Sequence, residues 1–386
     1  IKIATGCMIY KPYTLKDVYD ASAQEKFKVI STFAGGGGSS TGYRLAGGHI
    51  LAINEFVEEA RTTYRENFPN TLIIPDDIKK LTGEDLLNPV GLKVGELDLL
   101  DGSPPCSAFS VAGRAYTHEG GKHSKGYGKT KKYSDDQIVE NIEDLFFEFL
   151  RVAADIQPKV IVGENVKGLT MGEAKEYYHK IINEFEKIGY DVSSKVLNAK
   201  HFGVPQSRER TIFIAVRKDI TAQVGLTFMN IHSLFPSEGK DIITLGEALD
   251  DVENDPEEVS WLTEKWEGTK YHKDTAINFP QNPDKVMSGE DVNRKNYHFS
   301  VKKTSQYFPS PTITAMGSSV NTAGALHWNE NRKFTIKELK RITSLPEDFK
   351  LTGTFNQQAE RCGRMVPSLM MKAIAESVYT KVLSKC

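Results

Sequence analysis

Five short runs of β-branched and apolar residues, at 28–33, 49–53, 97–101, 160–163 and 211–216, constrain this chain more than any other feature. Each is short enough for a strand, and continuous enough to be buried on both faces. Between them lie stretches with helical spacing at 55–68, 136–156 and 174–188, the second closed by Pro158 and the third by Gly189. Strands alternating with helices of this length predict parallel βαβ units, hence an α/β fold with a mostly parallel sheet. The rhythm stops after Arg217. Residues 218–330 are richer in Pro, Asn, Trp and His and read as a separate, smaller, irregular domain. Helical spacing returns at 335–343 and 368–383, where Leu369, Ile374, Val378 and Val382 form an apolar stripe suited to packing back on the first domain. The expected organisation is an extension at 1–26, a first domain at 27–217, a second at 218–330, and a return to the first at 331–386.

The chain has 386 residues, 39% hydrophobic and 26% charged, enough for a large core and a smaller second one. No stretch reaches the roughly 18 to 20 apolar residues of a membrane span. The opening IKIATGCMIYKPY lacks the pattern of a signal peptide, and Ile1 in place of Met reads as a start inside a longer chain. Cys7, Cys106, Cys362 and Cys386 show no paired spacing. That argues against a disulfide framework or a metal site and for a reducing cytoplasm. A net charge of −2 says nothing for nucleic acid unless positive charge is concentrated locally. It is concentrated at 107–133, where Arg114, Lys122, Lys125, Lys129, Lys131 and Lys132 face one acid, Glu119. Such runs are usually solvated loops. Placed directly after Cys106, this one also suits a cationic lid over a phosphate backbone.

Four local patterns carry chemistry. The strand at 28–33 runs into Ala34-Gly35-Gly36-Gly37-Gly38, with Gly42 beyond and an acid at Glu55. Glycines let a backbone approach a nucleoside, and the acid can accept from ribose hydroxyls. A tight turn, a dinucleotide site and an adenosyl site all remain open from these residues alone. Asp76-Asp77-Ile78 after 72–75 adds an acid suited to an exocyclic amine. Ser103-Pro104-Pro105-Cys106 puts a thiol on a stiff turn at a strand's carboxyl end, and the strand at 160–163 delivers Glu164. A sulfur nucleophile beside a proton-holding carboxyl is a covalent-catalysis pair. In Gln206-Ser207-Arg208-Glu209-Arg210, the residues two apart share a face if one strand continues through them, although a surface ion-pair cluster is the commoner meaning.

Together, FAGGGG (33–38), SPPC (103–106), ENV (164–166) and QSRER (206–210) resemble the ordered blocks of the DNA cytosine-5 methyltransferases. Two later segments fit as well: Lys333-Phe334-Thr335 through Glu338, Arg341 and Ser344-Leu345-Pro346, and Gly363 with Val366-Pro367. The resemblance implies a Rossmann-like S-adenosylmethionine-dependent methyltransferase domain, with 218–330 as the target-recognition domain. It implies that the Cys106 thiolate attacks C6 of a cytosine flipped out of duplex DNA. Glu164 then holds or protonates N3, while Arg208 holds the base oxygen and orients Glu164 with support from Arg210. Phe33, Ala34, Gly35, Gly37, Gly38, Glu55, Asp77, Ile78 and Val366 are the implied cofactor contacts, with S-adenosylhomocysteine as product and no metal. Ser110, Arg114, Lys129, Lys131, Lys132, Gln206, Thr312 and Thr314 are the implied DNA contacts.

The chain departs from the family pattern at Ser31, where an acid is common, at Ser107, where glutamine usually follows the cysteine, and at Arg364, where asparagine is usual. None removes a group the chemistry requires. The length suits a bacterial or phage enzyme, cytoplasmic and at the nucleoid when bound to DNA, with a restriction endonuclease acting on the same site as a second expected partner. Three rivals stand beside this reading. The same chemistry on transfer RNA is disfavoured because the Cys-Phe-Thr element of those relatives is absent from 218–330. A silent DNA reader is disfavoured by intact Cys106, Glu164 and Arg208. An NAD-dependent oxidoreductase leaves Pro-Pro-Cys and Glu-Asn-Val unexplained.

Overall fold

The computed structural model describes residues 10–105, 131–132, 138–139, 144–172, 174–227, 230–274, 276–292 and 301–386. The chain divides into two compact units. One combines the described residues of Lys16–Leu197, Glu209–Ser237 and Met371–Cys386; the other combines those of Ile1–Leu15, Asn198–Arg208 and Glu238–Met370. Residues 331–370 thus group with the segment expected to be the small domain, and only the end of the chain returns to the first unit.

The first unit is built on seven strands: β1 (Phe27–Thr32), β2 (Gly48–Asn54), β3 (Leu72–Ile74), β4 (Leu99–Gly102), β5 (Val160–Val166), β6 (Tyr190–Asn198) and β7 (Glu209–Arg217). Their order across the sheet is β3-β2-β1-β4-β5-β7-β6. The first five pair in parallel, with Ser31 opposite Asp101 and Gly102 opposite Gly163. β7 runs antiparallel to β5, with Ile212 opposite Glu164, so the sheet is mostly rather than wholly parallel. An apolar run announces a strand but not its direction. β6 has no such run because it lies at the sheet edge, and most of its residues are half-buried.

Helices α1 (Gly38–Leu45), α2 (Glu58–Asn67), α3 (Leu145–Ile156) and α4 (Ala174–Lys187) belong to the same unit. α2 starts three residues later than expected, because the Glu55 carboxylate binds the Val57 amide instead of entering the helix. α3 begins at Leu145 rather than 136: within the expected helix, Ile138–Val139 pairs antiparallel with Lys131–Lys132. Phe146 of α3 and Phe185 of α4 bury against Phe213 of β7, the Phe146 and Phe213 rings standing 5.4 Å apart in an edge-on arrangement, and Phe149 stands edge-on to Phe146. Each such ring contributes about 2 to 3 kcal/mol by burial, with up to about 1.5 more from edge-on pairing.

The second unit has shorter elements. α5 (Pro256–Glu267) opens on Asp255 and Pro256, and Trp266 near its end packs with Phe279, Val301 and Leu326. α6 (Ile336–Ile342) and α7 (Phe355–Arg364) each start from a reciprocal cap, Thr335 with Glu338 and Thr354 with Gln357. A two-residue strand, Gln206–Ser207, pairs in parallel with Ser310–Pro311. α8 (Ser368–Lys381) begins in this unit; beyond Met371 its buried Ile374 and Val378 belong to the first, where Tyr379 meets Phe27. Among the described residues no helix is long and apolar enough to cross a membrane.

Candidate active site

Because β1, β2, β4 and β5 run in parallel, their carboxyl ends deliver four loops to one edge of the sheet. β1 runs into a loop in which Phe33, Gly35 and Gly37 take φ of 52°, 56° and 104°. A left-handed conformation at a bulky Phe is costly and is the kind of strain found at ligand sites. β2 ends one residue before Glu55. That buried carboxylate accepts the Gly35 amide at 2.7 Å and the Val57 amide at 2.8 Å, one on each oxygen. Arg61 supports it from behind, donating to the Glu55 carbonyl at 3.0 Å. A side chain at Gly35 would meet no atom within 4 Å, so the loop presents an open cradle. The Ser40 and Ser103 hydroxyls, on α1 and on the loop after β4, are buried without a hydrogen-bond partner among the described residues. An adenosyl cofactor fits this donor and acceptor set: Glu55 keeps a lone pair on each oxygen for ribose hydroxyls, and the strained loop admits a ligand against its backbone.

The other implied cofactor residues are less open. Asp77 caps a short turn by accepting from the Lys79 amide at 3.0 Å, and Ile78 is buried in the core. Val366 is buried between α7 and α8, in the second unit.

Gly102 and Gly163 lie opposite each other at the ends of β4 and β5. Ser103, Pro104 and Pro105 therefore leave the sheet beside Glu164 and Asn165, and the Asn165 amide donates to the Pro104 carbonyl at 3.5 Å. Cys106 is the next residue and lies outside the described residues, as do Ser107, Ser110, Arg114 and Lys129. Of the cationic segment, only Lys131 and Lys132 are described, as the short strand already noted.

Glu164 has a guanidinium partner within its own unit: Arg210 Nε lies 2.8 Å from Glu164 Oε1. The register explains the meeting. Ile212 is opposite Glu164, which puts Arg210 diagonally across on the same face. Burial pulls the guanidinium below its usual pKa, and the charge of Glu164 works against that pull.

Gln206 and Arg208 do not continue that strand, so the shared face expected for 206, 208 and 210 does not form. The chain leaves the sheet ahead of Glu209. The Gln206 side chain takes the Ile313 amide at 3.0 Å and donates to the Ile342 carbonyl at 3.2 Å. Arg208 donates to the carbonyls of Ile313 at 2.8 Å and Gly363 at 3.0 Å. A Cβ at Gly363 would come within 2.5 Å of the Ala315 nitrogen, so only glycine lets α7 approach the 312–315 segment this closely. Thr312 bonds the Ser207 carbonyl, and Thr314 accepts from Gly317. Arg364 donates to Glu360 at 2.7 Å.

Sequence reasoning gave no role to Asn165, nor to a buried trio in which Asp101 accepts from Ser31 Oγ at 2.6 Å and from Tyr43 at 2.9 Å. Its only sequence signal is an acid inside an apolar strand. Among the described residues no three His, Cys, Asp or Glu side chains stand close enough to hold a metal ion.

The C-5 cytosine-specific DNA methylase family model matches residues 27–380. The chain is 32% identical over 356 residues to the type II methyltransferase M1.HphI of Haemophilus parahaemolyticus, covering 90% of this chain and 86% of the relative. It is 30% identical to the type II methyltransferase M.Eco47II of Escherichia coli, covering 91% and 78%. Among solved structures, a prophage-encoded E. coli protein assigned as a DNA modification methyltransferase has the same fold, with a TM-score of 0.63 at 18% identity, covering 92% and 99%.

Proposed function

The chain belongs to the C-5 cytosine-specific DNA methylase family and is a DNA cytosine-5 methyltransferase of restriction–modification type, and from that premise we propose that it works through a covalent Cys106 adduct with S-adenosylmethionine as cofactor. The observation that carries the proposal is the in-register pairing of β4 with β5, which brings Ser103-Pro104-Pro105, the residues immediately before Cys106 in the sequence, beside Glu164 of β5.

The cofactor, when bound, supplies an electrophilic methyl group; Glu55 and the Phe33–Gly38 loop would hold it. The chain's own residues prepare the cytosine. The Cys106 thiolate adds to C6, and the electron pair of the C5–C6 double bond moves toward C5. Glu164, held at Oε1 by Arg210, takes up a proton on its other oxygen as the base enters and donates it at N3, relieving the charge as the ring loses aromaticity and leaving the carboxylate behind. With C5 methylated, its proton passes to a water acting as base, the C5–H pair restores the double bond and expels the Cys106 thiolate, and N3 returns its proton to the Glu164 carboxylate. C6 is hidden in a stacked duplex, so the base must be flipped out, at a cost of a few kcal/mol. Gln206 and Arg208 hold the 312–314 segment, which supports a part for it in target recognition. A nuclease acting on the same site is the natural partner of such an enzyme.

The test is a duplex carrying 5-fluorocytosine at the target position. Fluorine cannot leave as the proton does, so the adduct should be trapped as a denaturation-resistant complex that needs Cys106 and S-adenosylmethionine. A complex that survives Cys106→Ala, or none from an enzyme active on ordinary DNA, would refute the covalent reading.

A further inference from the structure

One carboxylate ties together both ends of the candidate cofactor loop. Asp101 of β4 is 1% exposed. It accepts from Ser31, the second-last residue of β1 before the loop, and from Tyr43 of α1 after it. Thr32 Oγ1 adds a third tie, donating to the Asp101 carbonyl at 3.0 Å. The Phe33–Gly37 loop is therefore anchored on both sides to a single residue, which also lies five residues before Cys106. The cross-strand register makes this possible, because Ser31 and Asp101 are direct partners. A serine at 31 supplies the hydroxyl that an acid there would replace with a second buried negative charge.

Both side-chain partners donate, so the ionised carboxylate is the form that uses both bonds. A buried anion behind a cofactor loop, in a low-dielectric interior, acts on whatever charge that loop holds. S-adenosylmethionine carries a sulfonium cation; S-adenosylhomocysteine has a neutral thioether in its place. We propose that Asp101 is a positioning residue whose buried carboxylate anchors the glycine loop and makes the site favour the sulfonium cofactor over its uncharged product. This rests on the cofactor reading above. Preference for the cation would speed product release without any group touching the transferred methyl.

The described titratable groups acting on Asp101 are Tyr43 from α1 and Glu164 from β5, the latter paired with Arg210; β1 offers only the neutral Ser31 and Thr32. Burial pushes the Asp101 carboxyl up to about 7, with the Glu164 charge adding to the rise and the Ser31 and Tyr43 bonds opposing it. The preference should therefore strengthen as pH rises through neutrality.

Calorimetric titration of the full chain with each nucleoside tests this without any turnover. The expected result for Asp101→Asn is a Kd for S-adenosylmethionine raised about tenfold, with that for S-adenosylhomocysteine changed by less than about threefold. Equal losses for both would mean a merely structural role and overturn the proposal. The pH dependence gives a second test: between pH 6 and 8.5 the ratio of the two Kd values should move toward S-adenosylmethionine more in the wild-type protein than in Asp101→Asn, the titration of the nucleosides themselves being the same for both proteins. The same pH dependence in both proteins would also overturn it. A wild-type protein that binds neither nucleoside would instead remove the cofactor reading itself.

Discussion

Arg210 Nε lies 2.8 Å from Glu164 Oε1 across the antiparallel pair β5–β7, with both side chains largely withdrawn from water. Removing one partner of such a pair strands a charge, at a cost of about 3 to 5 kcal/mol, whereas removing both is far milder. Arg210→Ala should therefore destabilise the protein by about 3 kcal/mol in urea unfolding, and Arg210→Ala with Glu164→Gln by clearly less. Additive losses would show that the two groups are not coupled.

Arg208 serves a different segment. Its planar fork spans the carbonyls of Ile313 and Gly363, and a lysine, with a single point charge, cannot reproduce that geometry. Arg208→Lys should speed amide hydrogen exchange at 312–315 and relax discrimination among DNA sequences, while S-adenosylmethionine affinity stays within about twofold. Unchanged exchange in that segment would count against the clamp.

Stability should carry the imprint of Asp101. Its carboxyl is held at about 7 in the folded chain against 3.8 for an ordinary aspartate. Between those values the folded protein binds a proton that the unfolded chain has released, so this group's contribution to stability falls as pH rises from about 4 to 7 and is level above. Asp101→Asn should flatten that part of the profile in thermal unfolding. A profile of the same slope in the variant would mean that Asp101 titrates normally.

Lys129, Lys131 and Lys132 are expected at the phosphate backbone. Neutralising all three should weaken DNA binding at low salt and reduce the slope of log K against log salt by about 0.9 for each phosphate that is no longer neutralised. An unaltered slope would place the segment away from the DNA.

The strands of the sheet centre were legible because burial on both faces leaves continuous apolar runs such as 160–163 and 211–216. β6 was not, since an edge strand reading YDVSSKVLN needs only half its residues inside. Direction was hidden as well, because an antiparallel β7 has the same composition as a parallel one. Glu55 was found by its place after a strand, and Glu164 by its place after the apolar run 160–163, although β5 continues through it to Val166. The spacing of 206, 208 and 210 misled because it assumed one unbroken strand, and the chain turns away before Glu209. Asp101 escaped because its meaning lies in a partner seventy residues away, on a neighbouring strand.

The most direct measurement is sequencing of 5-methylcytosine in plasmid DNA from cells expressing this chain, beside the same plasmid with Cys106→Ala. Methylation of cytosine at one recurring short sequence, absent from the variant, is the predicted result. Methylation that persists in the Cys106→Ala cells, or none from a folded wild-type chain that binds S-adenosylmethionine, would contradict the account.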